Sequence, residues 1–481
     1  MSCAVAPQGA AQRRPFATAQ AGAVADGNRG ISFIVQAFLN YFRTGVDQPV
    51  IADRDEINRR YRHHRMRVLI AITLGYGLVY TCRLALSVVK KPLIDEGIFT
   101  AVELGLIGAG LFYGYAVGKL VNGFLADHAN MKVFFAFGVM LSAIVNLGMG
   151  FSTALTVSVV LWAFNGWFQG FGAPAGIVAL ANWYSNSERG RFYGIWSTAH
   201  SIGEGLTFVA VAALVAHFGW RYGFWGPGLL CVAVAFGLWY YMQDRPRTLG
   251  LPEINDWHND HWERDELTEK PSLLKVQFSI LAVPAIWILA LASATNYVVR
   301  YAINSWGILY LQEARGYSLV EAGSLLMANT IAGIVGCIAF GYISDKVFNA
   351  RRPPANLLFA ILEIFALVLI FFGPQNTPML LFAFILYGIG LNGLVTSLGG
   401  LFGVDIAPKR AAGAIMGFVG IFSYIGAGIQ ENVSGYLIQK GMTMDGQTRI
   451  YDFSEVIWFW LGASVVSMLL AATLWRVRLR D

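Results

Sequence analysis

Charge is scarce in this chain of 481 residues: 13% are Asp, Glu, Lys or Arg, against about 25% in soluble domains. A water-exposed protein of such length needs a charged skin that 35 Lys+Arg and 29 Asp+Glu cannot supply. Cysteine is scarcer still. Cys3, Cys82, Cys231 and Cys337 are the only four, and the last three sit inside apolar runs at spacings that match no zinc or redox motif. A disulfide scaffold is excluded, and no metal site is expected. No nucleotide-binding loop and no catalytic constellation occurs, so neither an enzyme nor a cofactor is expected. Abundance lies elsewhere, in a hydrophobic fraction of 56% and in 53 Gly, 14 Trp, 20 Tyr and 33 Phe. That composition fits closely packed membrane helices with aromatic residues at both interfaces.

Residues 1–30, rich in Ala, Gly and Gln without a signal-like apolar run, read as a disordered cytoplasmic tail. Within 31–45 the positions Ile31, Ile34, Val35, Phe38, Leu39 and Phe42 recur at helical spacing, which predicts an amphipathic helix on the membrane surface. The basic run Arg54 to Arg67 completes a leading region of 1–65. Six apolar segments follow within 66–242, near 66–90, 103–126, 133–152, 154–183, 191–216 and 222–242. A polar stretch, 243–276, separates them from six more within 277–476, near 280–312, 319–344, 355–374, 377–403, 411–438 and 454–476, before a short tail, 477–481. At roughly 20 to 25 residues per spanning helix, twelve spans with short loops use up most of such a chain and leave no room for a large soluble domain.

Lys132, Arg189, Arg191, Arg245, Arg247, Lys346, Arg351, Arg352, Lys409, Arg410 and the terminal RVRLR all follow even-numbered segments. The opposite loops hold only Lys90, Lys91, Arg221, Arg315, Lys440 and Arg449. By the positive-inside rule both termini are cytoplasmic. The formal charge of +6 is therefore topological and implies no nucleic-acid partner.

The loops GFLADHANMKV (Gly123 to Val133) and GYISDKVFNARR (Gly341 to Arg352) repeat one design, with Asp127 and Asp345 218 residues apart. Glu188, Arg189 and Gly190 stand opposite Lys409, Arg410 and Ala411 at an offset of about 221. A duplicated six-helix unit follows. Asp127, Lys132, Arg189, Asp345, Lys346 and Arg410 are the candidates for contacts that hold one conformation closed at the cytoplasmic face, through helix dipoles and charge pairing.

The repeat also relates two arginines. Arg83 lies inside segment 1 and Arg300, 217 residues later, inside segment 7. An arginine at that depth costs at least about 2.5–3.5 kcal/mol on insertion scales, which calls for an anion, a water-filled path or a carboxylate partner. Glu204, Glu363 and Glu431 are the main acids within the segments. Two guanidinium forks suit a phosphate, because each can make parallel N–H bonds to oxygen and neither loses its proton. Lys119 in segment 2 and His200 in segment 5 add two further candidate ligands. Gln430 and Glu431 in segment 11 can reach sugar hydroxyls or bond between helices.

At these residues the chain resembles the organophosphate:phosphate antiporters of the major facilitator superfamily. The stretches that carry the resemblance are GYGLVYTCR (Gly75 to Arg83), NGWFQGFGAP (Asn165 to Pro174), NWYSNSERG (Asn182 to Gly190), WSTAH (Trp196 to His200), YVVRYAINSW (Tyr297 to Trp306), SDKVFNARR (Ser344 to Arg352) and APKRAAGAIMGFVGIFSYIGA (Ala407 to Ala427). It implies an all-α membrane protein of twelve transmembrane helices in two pseudo-symmetric six-helix bundles. It places the family's paired phosphate-binding arginines on Arg83 and Arg300, its lysine on Lys119 and its histidine on His200, with aromatic cavity residues at Tyr76, Tyr80, Trp196, Tyr297 and Tyr424. The stretches around Tyr61, DRPRTLGLPEINDW and YAINSWGILYLQE look closer to the hexose-phosphate transporter and sensor branch than to glycerol-3-phosphate carriers. Where the latter have an acid before the segment 7 tryptophan, this chain has Ser305.

The expected activity is antiport of a sugar phosphate, glucose-6-phosphate first, against inorganic phosphate, by a monomer in a bacterial inner membrane. Alternatives are a hexose-phosphate membrane sensor, a glycerol-3-phosphate or phosphoglycerate antiporter, and a proton-coupled facilitator that would use a carboxylate such as Glu204 or Glu431.

Overall fold

A computed structural model describes residues 42–126, 129–260, 280–349, 351–374, 376–406, 412–446 and 448–477. The expected surface helix up to residue 41, together with Cys3, Asp127, Lys409 and Arg410, lies outside the described residues. Thr44–Asp481 forms one unit, and Met1–Arg43 a separate one of which only the last two residues are described.

The twelve apolar segments are twelve helices. They are α1 (Arg54–Asp95), α2 (Ala101–Ala126), α3 (Met131–Met149), α4 (Leu155–Gln169, resuming as Gly172–Trp183), α5 (Asn186–Leu206, running on through Thr207–Val211 to Ala212–Phe218) and α6 (Trp220–Tyr241). The second half comprises α7 (Pro284–Arg315), α8 (Leu319–Tyr342), α9 (Arg352–Phe372), α10 (Thr377–Thr396, extended to Ile406), α11 (Ala412–Lys440) and α12 (Ser454–Thr473). Eleven are long and apolar enough to cross a membrane unbroken. The twelfth, α4, breaks at Gly170 for a local reason: Pro174 has no N–H to give the carbonyl four residues earlier, and its ring crowds that carbonyl. The break also lets Gly170 approach α2, where an added Cβ would stand 2.9 Å from the Gly118 carbonyl carbon.

Helix α1 starts at Arg54, about three turns before its apolar stretch. Asp53 caps it by accepting from Asp55 N at 2.9 Å, and Arg60 Nε donates to Glu56 at 2.6 Å. The basic run is therefore helical. The helix also continues past Pro92 to Asp95. Lys90, expected in a loop, is consequently inside α1 and fully buried. The polar stretch 243–260 is likewise not a free linker. It packs on the same end of the bundle as the start of α1, where Trp257 stacks on Tyr61 with centroids 4.4 Å apart and donates from Nε1 to Asn58 Oδ1 at 2.7 Å. Asp244 accepts from Met131 N at 3.0 Å at the start of α3, and burial holds its carboxyl above the ordinary range.

The two halves repeat their packing. Helices α2 and α4 touch through Gly114 and Gly166, whose added Cβ atoms would meet Ala163 O at 2.1 Å and Leu111 O at 2.0 Å. Helices α8 and α10 do the same through Gly336 and Gly388, against Ile389 O at 2.3 Å and Asn329 O at 2.1 Å. Without a hydrophobic drive between helices in lipid, such small-residue contacts carry the packing. The halves meet along α2 with α11 and α5 with α8, again through glycines: a Cβ added at Gly105 would stand 2.5 Å from Glu431 O, and one added at Gly323 would stand 2.0 Å from Phe208 O. A short antiparallel hairpin, β1 (Met442–Asp445) and β2 (Thr448–Tyr451), joins α11 to α12.

Candidate anion site between the halves

Helices α1 and α7 bring Arg83 and Arg300 to the centre of the bundle, 3% and 6% exposed. Neither is bare. Arg83 Nη2 donates to Tyr301 OH at 3.3 Å, and its guanidinium lies 4.2 Å from the Tyr115 ring centre and 5.4 Å from those of Tyr80 and Tyr424. Its partners are a hydroxyl and ring faces, with no carboxylate among the ion pairs of the described residues. Arg300 is different: its Nη2 donates to Glu204 Oε1 on α5 at 2.7 Å, a buried pair that crosses between the halves. Of the anion, water-filled path or carboxylate partner that a buried arginine calls for, Arg300 thus has the carboxylate, so the empty cavity does not hold two unneutralised arginines. Burying a lone guanidinium is so costly that a carboxylate within reach is drawn to it, and Glu204 lies one helical turn beyond His200 on the same wall. Both arginines nevertheless keep a buried Nε with no acceptor among the described residues.

The aromatic residues implied by the resemblance do gather here. Tyr424 is central: its ring lies 4.4 Å from that of Tyr115 and 5.4 Å from that of Tyr297, and Lys119 Nζ stands 5.9 Å from its centre. Tyr76 packs on Trp196 with centroids 4.9 Å apart and shares a hydroxyl contact of 3.4 Å with Tyr80. The His200 ring lies 6.0 Å from that of Tyr80, its Nδ1 close to Ser197 O and its Nε2 3.3 Å from Ser201 Oγ. Arg83, Lys119, His200 and Arg300 thus stand around one cluster of aromatic rings.

Towards the end at which α1 finishes, a second buried pair closes the site. Lys90 Nζ donates to Glu431 Oε2 at 2.9 Å and to Ser305 Oγ at 2.7 Å, and lies 3.4 Å from the Trp306 ring centre. Between this pair and Arg83 is a small pocket lined by Arg83, Ser87, Phe112, Tyr301, Ser305 and Glu431. Glu431 Oε1 is buried without a donor. Gln430 turns the other way, donating to Ser434 Oγ at 3.0 Å, which also accepts from Trp460 Nε1 of α12 at 2.9 Å. It bonds within its own half rather than lining the pocket. Glu363 on α9 is fully buried with both carboxyl oxygens unpaired.

Beyond the Lys90 pair, Lys91 reaches Glu313, Arg449 of β2 donates to Ile94 O at 2.6 Å, and Ala101 N donates to Gln439 Oε1 at 3.1 Å. This end is pinned shut across the halves. At the opposite end the described ion pairs stay within one half. Arg65 pairs with Glu188, while Arg352 joins Asp345 at 2.7 Å and Asp405 at 2.6 Å. Of the gating candidates, Asp345 thus has its partner in Arg352. Arg189 caps α4 by donating to Tyr184 O at 3.2 Å and Ala181 O at 3.4 Å, Lys132 lies 5.9 Å from the Trp239 ring, and Lys346 is exposed.

Four contributors were missed from the sequence: Lys90, Ser305 in its role as Lys90 acceptor, Tyr115 and Tyr301. The two tyrosines carry a usable signal, since Tyr301 adjoins Arg300 and Tyr115 stands four residues before Lys119 on the same helix face.

Comparison with known proteins gives the family and the fold. Residues 72–430 match the Major Facilitator Superfamily. The chain is 35% identical over 433 residues to the membrane sensor protein UhpC of Salmonella typhimurium, covering 88% of this chain and 93% of that protein. It is 32% identical to a probable hexose phosphate transport protein of Chlamydia pneumoniae (81% and 88% covered) and 33% identical to the glycerol-3-phosphate transporter of Bacillus subtilis (81% and 89%). In fold it is similar to a bacterial homologue of the human lysosomal transporter Spinster in an inward-facing, unoccupied conformation, with a TM-score of 0.66 at 18% identity over 86% of this chain and 95% of that one. The protein is a multi-pass integral membrane protein and not an enzyme; it belongs to the major facilitator superfamily and, within it, to the organophosphate:phosphate antiporter family.

Proposed function

We propose that the protein exchanges a sugar phosphate, glucose-6-phosphate first among candidates, for inorganic phosphate by alternating access. The observation that carries this reading is the pair of buried guanidinium Nε donors, one from each half, that no protein acceptor satisfies. A phosphoryl group has enough oxygens to accept from both at once. The units that rock are 66–242 and 277–476, joined by the stretch 243–276, in a monomer of a bacterial inner membrane with both termini cytoplasmic. Anion binding between Arg83 and Arg300 draws the halves together at the level where the described cross-half bonds end, so that reorientation is favoured when the site is loaded. Lys119 and His200 line the approach, and Glu431 faces the pocket in which the sugar hydroxyls would lie.

The test is uptake of labelled glucose-6-phosphate, glycerol-3-phosphate and phosphoglycerate into proteoliposomes with and without internal phosphate. Uptake of the hexose phosphate that requires internal phosphate is expected; uptake indifferent to it overturns antiport. A second reading, a membrane sensor of the same ligand, is favoured by the similarity to UhpC. Binding of the sugar phosphate with no transport would select it.

A further inference from the structure

We propose that Glu204 is a built-in competitor of the transported anion, a tethered carboxylate that occupies Arg300 when the site is empty and that a phosphoryl group must displace. The inference rests on the phosphate reading of the site and adds a residue that sets its affinity and its release.

The geometry of the pair is that of a contact meant to open. A carboxylate and a guanidinium at their strongest make two parallel bonds. Here a single bond joins Arg300 Nη2 to Glu204 Oε1, and Arg300 Nε remains buried without an acceptor. The other buried cross-half pair is better satisfied on its cationic side, since Lys90 donates to both Glu431 and Ser305 and lies against Trp306. Glu204 is also positioned to meet the anion. It is 3% exposed, on the same helix as His200, and the backbone beside it lies close to α8, where a Cβ added at Gly205 would stand 3.1–3.2 Å from Thr330 and Met327.

The charge balance gives the consequence. Glu204 offsets the charge of Arg300, whereas Arg83 and the nearby Lys119 have no carboxylate partner among the described ion pairs, so the positive charge of the empty centre lies on their side of the site. Of the two arginines, Arg83 is therefore the first that an arriving phosphate engages, and Arg300 is recruited as Glu204 is pushed aside. Glu204 then faces the bound dianion as a like charge in a poorly screened site, which weakens binding and hastens release. For a carrier that must discharge one anion before taking up another, a site with two free guanidiniums would hold phosphate too long.

The experiment is isothermal titration of inorganic phosphate into the full-length protein in lipid nanodiscs, paired with phosphate self-exchange in proteoliposomes. Glu204→Gln is expected to tighten phosphate binding by about tenfold or more and to slow exchange at saturating phosphate, two changes of opposite sense that a merely structural defect does not produce. Glu204→Asp, which keeps the charge on a shorter stem, is expected to fall between wild type and Glu204→Gln. It also provides a folded variant, checked by size-exclusion profile, should the glutamine variant fail to assemble. Binding by Glu204→Gln that is equal to or weaker than wild type overturns the competitor role, as does a Glu204→Asp variant that binds more weakly than wild type. Absence of phosphate binding by the wild type overturns the phosphate reading itself, and the competitor with it.

Discussion

Lys90 on α1 and Glu431 on α11 close a 2.9 Å ion pair between the two halves with neither side chain exposed. Removing one partner of such a pair strands the other charge, at a cost of about 3–5 kcal/mol, whereas replacing both with apolar groups is often neutral. Lys90→Met and Glu431→Met are each expected to lower the apparent Tm of the purified protein markedly, and the double variant Lys90→Met with Glu431→Met to regain most of the loss. Thermal unfolding followed by intrinsic fluorescence reads this as a double-mutant cycle. Additive effects of the two single changes would show that the pair contributes no coupling.

The two arginines are not equivalent, and their lysine variants should differ. Lysine keeps the charge but loses the planar fork. Arg83 has no carboxylate partner while Arg300 has Glu204, so Arg83→Lys removes the first contact of the anion and Arg300→Lys the second. Both substitutions are expected to depress phosphate self-exchange by about 100-fold or more, through loss of charge-assisted bonds worth about 1.5–3 kcal/mol each. Arg83→Lys is expected to raise the half-saturating phosphate concentration more than Arg300→Lys does. Full activity in either variant would remove that arginine from the anion site.

Much of this was readable in the residues. Periodicity and length place all twelve helices, and the 217-residue offset between Arg83 and Arg300 singles out the site. What could not be read is partnership across the fold. Glu204 and Arg300 are 96 residues apart, and Lys90 and Glu431 341 apart, so neither pairing leaves a periodic trace in the chain. Lys90 illustrates the second limit. The dipeptide Lys90-Lys91 ahead of Pro92 has the composition of a loop, but α1 runs on through the proline and keeps Lys90 about one turn deeper than Asp95. The helical start at Arg54 was hidden for a related reason: its charged residues lack an apolar face, and it is held by capping and by the docked stretch around Trp257 instead.

Alternation between two conformations requires the pinned end to open. Lys91 of α1 meets Glu313 of α7 there, a contact directly between the halves. Replacing both with cysteine in a background without the native cysteines is expected to permit bridging by a bis-methanethiosulfonate reagent long enough to span the two lost side chains. The cross-linked protein should lose phosphate exchange and recover it on reduction, since a covalent bridge replaces a contact that must break in each cycle. Exchange that persists with the cross-link formed would place the moving interface elsewhere.

The glycine contacts make the last prediction, because they separate two kinds of glycine in one membrane fold. Gly166 on α4 lies so close to α2 that a Cβ would stand 2.0 Å from Leu111 O, and backbone rather than a flexible side chain would have to yield. Gly237, inside α6, has nothing within 4 Å of the same position. Gly166→Ala must push two helices apart, an overpacking cost of about 1–3 kcal/mol, and it also disturbs the helix that carries Tyr115 and Lys119. Gly237→Ala meets no obstacle and gains about 0.5–1 kcal/mol from reduced backbone freedom in the unfolded chain. The expected result is a lower apparent Tm and weaker phosphate binding for Gly166→Ala, against an unchanged or raised Tm with normal binding for Gly237→Ala. Equal tolerance at the two positions would mean that α2 and α4 are not packed backbone to backbone.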